Sequence, residues 1–230
     1  MTIYETMFTR RSHRRYDPRP LTDEELTAIR YELAAIDPIP GQTADFRFIT
    51  PAQMGLEQAP HYLVANCAPT DAAYANVGYM LEKLDLVLQS RGLGSLWYGM
   101  KLPREKEAND CIVMQFGRPV APGRTDESAF NRLPVEKIAT ANNPVTRAAR
   151  LAPSAVNSQP WMIEWGDTVI TVRYYGRGLM KGRLEPKLSK IDLGIVTRFL
   201  VTALEHEGRV VTAVTPTGGG KSFALEIAYK

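Results

Sequence analysis

The chain has few of the residues that would announce a special class. Of its 230 residues only two are cysteine, Cys67 and Cys111, far apart and without a CxxC spacing. This excludes a disulfide scaffold and fits two inert thiols in a reducing compartment. The three histidines, His13, His61 and His206, are scattered without metal-ligand spacing, so no metal site is expected. No uninterrupted apolar run approaches ~18 residues, and no membrane span is expected. The charged residues after the first helix are in the wrong order for a secretory signal, so the protein reads as cytoplasmic. Lys+Arg number 28 against 25 Asp+Glu, a balance that excludes a dedicated nucleic-acid or membrane-surface binder.

What is present suits a globular α+β chain. Thr2–Glu5 and Thr22–Glu25 have capping-box spacing. The first opens a helix carrying Ile3, Met7 and Phe8; the second opens one carrying Leu26, Ile29 and Leu33, stopped by Pro38, Pro40 and Gly41. Residues 46–49, 62–65 and 111–116 read as strands. A long helix is predicted from about Asn76, with Val77, Met80, Leu81, Leu84 and Leu88 at three- and four-residue steps, and Gly92 ends it. A further helix is expected from Arg132-Leu-Pro134 through residues 136–151. Strands at 161–165 and 168–172 follow, then a helix opened by Asp192 and closed by Gly208. Thr217-Gly-Gly-Gly-Lys-Ser222 mimics a phosphate loop, but Thr215 stands where the motif needs glycine and a strand-like segment follows, so a glycine-rich hairpin is expected.

The intervals repeat. Asn76 to Gly92 and Asp192 to Gly208 are both 16 positions; Pro38 to Phe46 and Pro153 to Trp161 are both 8. These agreements suggest an internal duplication with a period of roughly 115 residues, far above solenoid length. Two similar halves, 1–135 and 136–230, are expected.

Three segments carry chemistry. Arg10-Arg11-Ser12-His13-Arg14-Arg15 offers guanidinium forks and a hydroxyl suited to phosphate oxygens, or else a solvated basic helix end. Pro153-Ser-Ala-Val-Asn-Ser-Gln-Pro-Trp161 is a proline-stiffened loop presenting Ser154, Asn157 and Gln159 around Ala155. Such donors and acceptors can read the edge of a heteroaromatic ring or bond their own backbone. Gly92-Leu-Gly-Ser-Leu-Trp-Tyr-Gly-Met100 has more glycine than a helix end requires, which would let backbone N–H groups approach a ligand. Trp97, Tyr98 and Trp161 could wall a flat substrate or simply pack.

Together these segments resemble the FMN-dependent nitroreductase family. Its arginine motif is matched by Arg10, Arg11, Ser12 and Arg14, and its P-S-x-x-N-x-Q-P-W loop by Pro153, Ser154, Asn157, Gln159, Pro160 and Trp161. Its glycine turn is matched by Gly92, Leu93, Gly94, Ser95 and Trp97, and its late basic position by Arg132 ahead of Pro134. The order departs from the family pattern, in which the Pro-Ser loop comes early. At the early position here stands 38–46, with Ile39 for the serine and Gln42 for the asparagine.

The resemblance implies a nitroreductase-like fold, with central antiparallel or mixed sheets flanked by helices and two similar halves forming a pseudo-dimer. It further implies one FMN held between the halves, NAD(P)H as hydride donor, and a small oxidised acceptor such as a nitroaromatic or quinone. Arg10, Arg11, Ser12, Arg14 and Arg132 would hold the phosphate side. Trp97, Tyr98 and Gly99 would lie near the flavin N5, and Pro153, Ser154, Ala155, Asn157 and Gln159 at the ring edge and ribityl chain. No side chain is required as acid or base, and no nucleic acid or membrane partner is expected. A pseudo-dimeric monomer is expected, with further pairing left open. A flavin carrier or sensor without nicotinamide turnover, or a redox-dead descendant, would share most of these residues.

Overall fold

The computed structural model describes residues 1–99, 101–176 and 186–230; Met100, at the end of the glycine segment, lies outside them. The first half contains α1 (Ile3–Thr9), α2 (Asp23–Ala34), β1 (Asp45–Ile49), α3 (Pro51–Met54), β2 (His61–Asn66), α4 (Asp71–Ser90), β3 (Gly94–Tyr98) and β4 (Asp110–Gly117). The second contains α5 (Pro144–Ala149), β5 (Trp161–Trp165), β6 (Val169–Tyr174), α6 (Pro186–His206), β7 (Val211–Thr217) and β8 (Ala224–Tyr229). Both predicted capping boxes form, with the Thr2 and Thr22 hydroxyls accepting from the N–H groups of Glu5 and Glu25 at 3.1 and 3.3 Å. Among the described residues no helix is long and apolar enough to cross a membrane.

Each half builds one antiparallel four-stranded sheet, in the orders β1-β2-β4-β3 and β5-β6-β8-β7. The late helix of each half, α4 or α6, joins the second strand to an edge strand. These two helices pack against each other at the centre, and one apolar core runs through both halves.

Their contact depends on two glycines. A Cβ on Gly78 would lie 2.0 Å from the carbonyl oxygen of Ile191, and one on Gly194 would lie 1.8 Å from that of Ala75. The two contacts are reciprocal and antiparallel, and each residue is 116 positions from its counterpart. Polar contacts keep the same offset. Asn76 Oδ1 accepts from the Ile39 N–H at 2.8 Å, and the Asp192 carboxyl accepts from the Ala155 N–H at 3.0 Å. These two hydrogen bonds place Ile39 and Ala155 at the same 116-residue offset. Gly41, at φ 78°, then matches Asn157, at φ 57°.

Several boundaries differ from expectation. α4 begins at Asp71, capped by Thr70, and α6 is described from Pro186, so Asn76 and Asp192 lie within helices. Their side chains reach across to loop N–H groups instead of capping their own helix. The long helix expected over 136–151 shrinks to a 3-10 turn at Val135–Lys137 and the short α5, capped by Asn143. β3 was not anticipated, and β7 only as the first arm of the expected hairpin; they pair with β4 and β8. Gly218 and Gly220, both at positive φ, turn the chain between β7 and β8, which settles the phosphate-loop mimic as a hairpin.

Candidate active site

A cavity of about 400 Å³ opens beside the edge strand β3 and the α6 helix. Three stretches distant in sequence meet there: Arg10, Arg11, Ser12 and Arg14 after α1, Trp97 and Gly99 at the end of β3, and Pro153, Ser154, Ala155 and Asn157 from the second half. Arg132 joins them. Backbone pairing fixes the first stretch, because Ser12 bridges Ser95 in parallel and the His13 N–H donates to the Ser95 carbonyl at 2.9 Å.

Beneath the arginines lies a buried polar network. Arg10, 1% exposed, donates through Nε to Asp85 Oδ2 at 2.8 Å. Asp85 also receives Gln89 Nε2 at 2.8 Å and the Ser95 hydroxyl. Gln89 Oε1 accepts from the Arg11 N–H at 2.9 Å, and Trp97 Nε1 donates to Glu82 Oε2 at 3.1 Å. Burial, and then the nearby Asp85, raise the Glu82 pKa well above the usual carboxylate range. Arg10 Nη2 is buried with no hydrogen-bond partner. A buried guanidinium nitrogen without a partner is costly.

Further cations surround it. Arg124 is pushed down to about 10 by burial, then by Arg10 and Arg11; Arg132 is pushed down to about 9 by burial, then by Arg10 and Arg124. Both remain cationic at pH 7, and their mutual repulsion marks a site short of negative charge. The Arg14 guanidinium is exposed and makes no hydrogen bond or ion pair among the described residues. Arg124 is the arginine the sequence reading missed. It sits in a polar connection with no periodic pattern, and is brought in by a 2.6 Å hydrogen bond from its N–H to the Thr9 carbonyl.

Other expected roles change. Gln159 is 2% exposed and does not line the cavity; its Oε1 accepts from the Leu133 N–H at 2.8 Å and its Nε2 donates to the Asn157 carbonyl at 3.2 Å. It braces the loop. Asn157 lines the cavity, but its amide is held at both ends, donating to the Asn131 carbonyl at 2.8 Å and accepting from Arg132 Nη1 at 2.7 Å. Arg132 also donates to the carbonyls of Leu151 and Ala152, so it clamps the loop as well as facing the cavity. The clamp holds a strained backbone, since Val156, Asn157 and Gln159 all have positive φ, which is unfavourable above all for β-branched Val156. Tyr98 does not line the cavity but lines an adjoining cleft with Arg15, Tyr16 and Gln115, which shares Arg14 and Leu96 with the cavity. Trp161 is fully buried in the core and walls nothing. Gly94 makes room for the His13 ring, which a Cβ would approach to 2.7 Å, and not for a ligand. Burial and Arg11 lower the His13 pKa to about 4, so that ring packs as a neutral group.

The apolar part of the cavity comes from Leu96, Ile112, Leu188, Ile191 and Ile195. The sequence offered no means to select these from other core aliphatics. Asp192, the only acidic side chain in the lining among the described residues, was read only as a helix start.

No curated protein matches the chain. Among solved structures, the "putative nitroreductase" of Thermotoga maritima aligns with 99% of this chain and 94% of its own at 20% identity and a TM-score of 0.74. A nitroreductase family protein of Clostridium difficile 630 covers 62% of this chain and 99% of its own, at 16% identity and a TM-score of 0.52. The NADPH:FMN oxidoreductase of Vibrio harveyi, solved with NAD+, covers 61% and 77%, at 19% identity and a TM-score of 0.51. These likenesses establish a common fold. The family model described as "Putative TM nitroreductase" matches residues 2–203, which include the first sheet, β5, β6 and every residue lining the cavity, and the chain therefore belongs to the nitroreductase family.

Proposed function

We propose that this protein is an FMN-dependent oxidoreductase that passes hydride from NAD(P)H to a small oxidised organic acceptor such as a nitroaromatic or quinone. The observation that carries the reading is the convergence of Arg10, Arg11, Arg14, Arg124 and Arg132 on one cavity that is also lined by aliphatic side chains. Those residues fit a flavin mononucleotide, which has a phosphate at one end and a broad ring at the other. Bound FMN supplies the two-electron redox chemistry; the protein supplies binding, orientation and electrostatics.

Arg10, Arg14 and Arg124 would hold the phosphate, with Arg132 adding charge while it clamps the loop. Trp97 and the aliphatic side chains would exclude water from the ring. The Ser154 hydroxyl accepts from the Gln159 N–H at 2.9 Å and keeps its own proton for the ligand. Each charge-assisted hydrogen bond contributes about 1.5–3 kcal/mol. Arg14→Ala is therefore expected to weaken FMN binding about tenfold or more, since tenfold corresponds to about 1.4 kcal/mol. An unchanged dissociation constant in a fluorescence titration would remove Arg14 from the site.

The matching strand orders and the 116-residue correspondences support an internally duplicated chain in which one molecule supplies both sides of the site. The counterpart cleft beside β7 is lined by Pro38, Ile39, Pro40, Tyr79, Glu205 and residues 211–214. It is smaller, about 180 Å³, and carries an acid but no arginine. One FMN per chain is expected, and a saturating titration giving two would exclude the decayed-copy reading. Anaerobic bleaching of the yellow protein by NADPH or NADH tests turnover. A colourless protein, or a yellow one that neither nucleotide bleaches, overturns the proposed activity.

A further inference from the structure

Asp192 is fully buried on α6, at the cavity wall. Its two carboxyl oxygens lie 3.0 and 3.2 Å from the Ala155 nitrogen, and no other hydrogen bond reaches it among the described residues. Its counterpart Asn76 holds the Ile39 N–H at 2.8 Å with a neutral amide, so the backbone hold does not require an acid. An acid costs more to bury than an amide. Yet none of the five arginines that share the cavity pairs with it, as an ionised carboxylate would favour.

We propose that Asp192 works as a neutral carboxylic acid, accepting from the Ala155 N–H through its carbonyl oxygen and offering its O–H to an acceptor atom of the ring bound in the cavity. The identity of that ring rests on the FMN reading above; the protonated acid does not. Burial, which pushes the Asp192 pKa up to about 8, agrees with this state at neutral pH. The titratable and charged groups facing it are few. The cavity contributes Arg10, Arg11, Arg14, Arg124 and Arg132; the packed face of α4 contributes Tyr79 beside Ala75 and Gly78; and the 153–157 loop contributes none. On α6 itself Lys190 is turned away, paired with Asp71 and the Gly220 carbonyl. Ionisation above pH 8 would replace the donor with a negative charge, so ring binding weakens as pH rises.

The test compares the intact chain with Asp192→Asn, a substitution whose backbone contact Asn76 already exemplifies. FMN is titrated into flavin-free protein from pH 6.5 to 9. The wild-type dissociation constant is expected to be level below about 8 and then to climb towards tenfold per pH unit, as loss of one required proton dictates. Asp192→Asn should lack the climb that starts near pH 8, keeping only the later, shallower fall in affinity as Arg132, at about 9, begins to lose its charge; the same climb in both proteins, or in neither, overturns the proposal. Infrared spectroscopy separates this from the fate of the FMN reading, because it needs no flavin. A protonated-carboxyl band present at pH 7, lost as pH passes 8 and missing from Asp192→Asn sustains the neutral acid even if FMN fails to bind. Absence of any such difference between the two proteins overturns it even if FMN binds well.

Discussion

Gly194→Ala is expected to destabilise the protein severely, by more than about 3 kcal/mol, the usual upper range for overpacking. Helix propensity argues the opposite, since alanine within a helix is favoured over glycine by about 1 kcal/mol. The contact decides. The new Cβ would sit 1.8 Å from the Ala75 carbonyl oxygen and 2.7 Å from the Tyr79 nitrogen, and neither backbone atom can rotate away. Relief requires α4 and α6 to separate, and these helices form the largest interface in the core. Gly78→Ala meets the Ile191 carbonyl at 2.0 Å and should behave alike. Once one substitution has pushed the helices apart, the second should add less than its own single effect, a coupling expected of neighbours at one contact. Guanidinium unfolding of both single variants and the double variant measures this. A raised midpoint in either single variant would show that the close approach of the helices is wrong.

The second large effect concerns Arg10. Arg10→Met leaves the Asp85 carboxylate at 0% side-chain exposure without its counter-charge, and breaking a buried pair from one side costs about 3–5 kcal/mol. The same substitution removes one guanidinium from the cavity lining proposed to hold the phosphate. A double variant separates the two roles. Arg10→Met with Asp85→Leu removes both charges, and apolar replacement of a buried pair is often neutral or better, so it should recover most of the lost stability. FMN binding should stay lost. Recovery of both would mean that Arg10 serves only the fold, and recovery of neither would mean that the Asp85–Gln89–Ser95 network is itself required.

The fold was legible in the sequence where local physics suffices. The two capping boxes, the glycine after α4 and the buried strand β4 each follow from residues close together in the chain. Helix starts were less legible. Asn76 and Asp192 have the residue types of caps, but they are used across the fold, on loops 37 positions away. β3 opens on Gly94 and Ser95 and β7 contains Pro216, residues that weaken a strand pattern, whereas β1 and β5, edge strands as well, carry the aromatic and aliphatic residues that mark one.

For the site, chemistry in contiguous motifs could be recognised. The arginine run, the Pro-Ser loop and the glycine segment all reach one cavity. Division of labour within a motif could not be read. Ser154 and Asn157 look equivalent as hydrogen-bonding residues, yet Arg132 and Asn131 occupy the Asn157 amide while the Ser154 hydroxyl keeps a free proton. Tyr98 adjoins Trp97 but lines the adjoining cleft and not the cavity.

The sequence by itself determined the residue types that recur at fixed intervals and the motifs of the family. Tertiary structure alone decided which arginine is left without a partner, that Arg124 joins the others, and that an acid lies buried opposite them. The reason is that burial and pairing are properties of space. A guanidinium 75 positions from its carboxylate, or a buried aspartate held against a loop, acquires its chemistry only when the chain has brought both groups together.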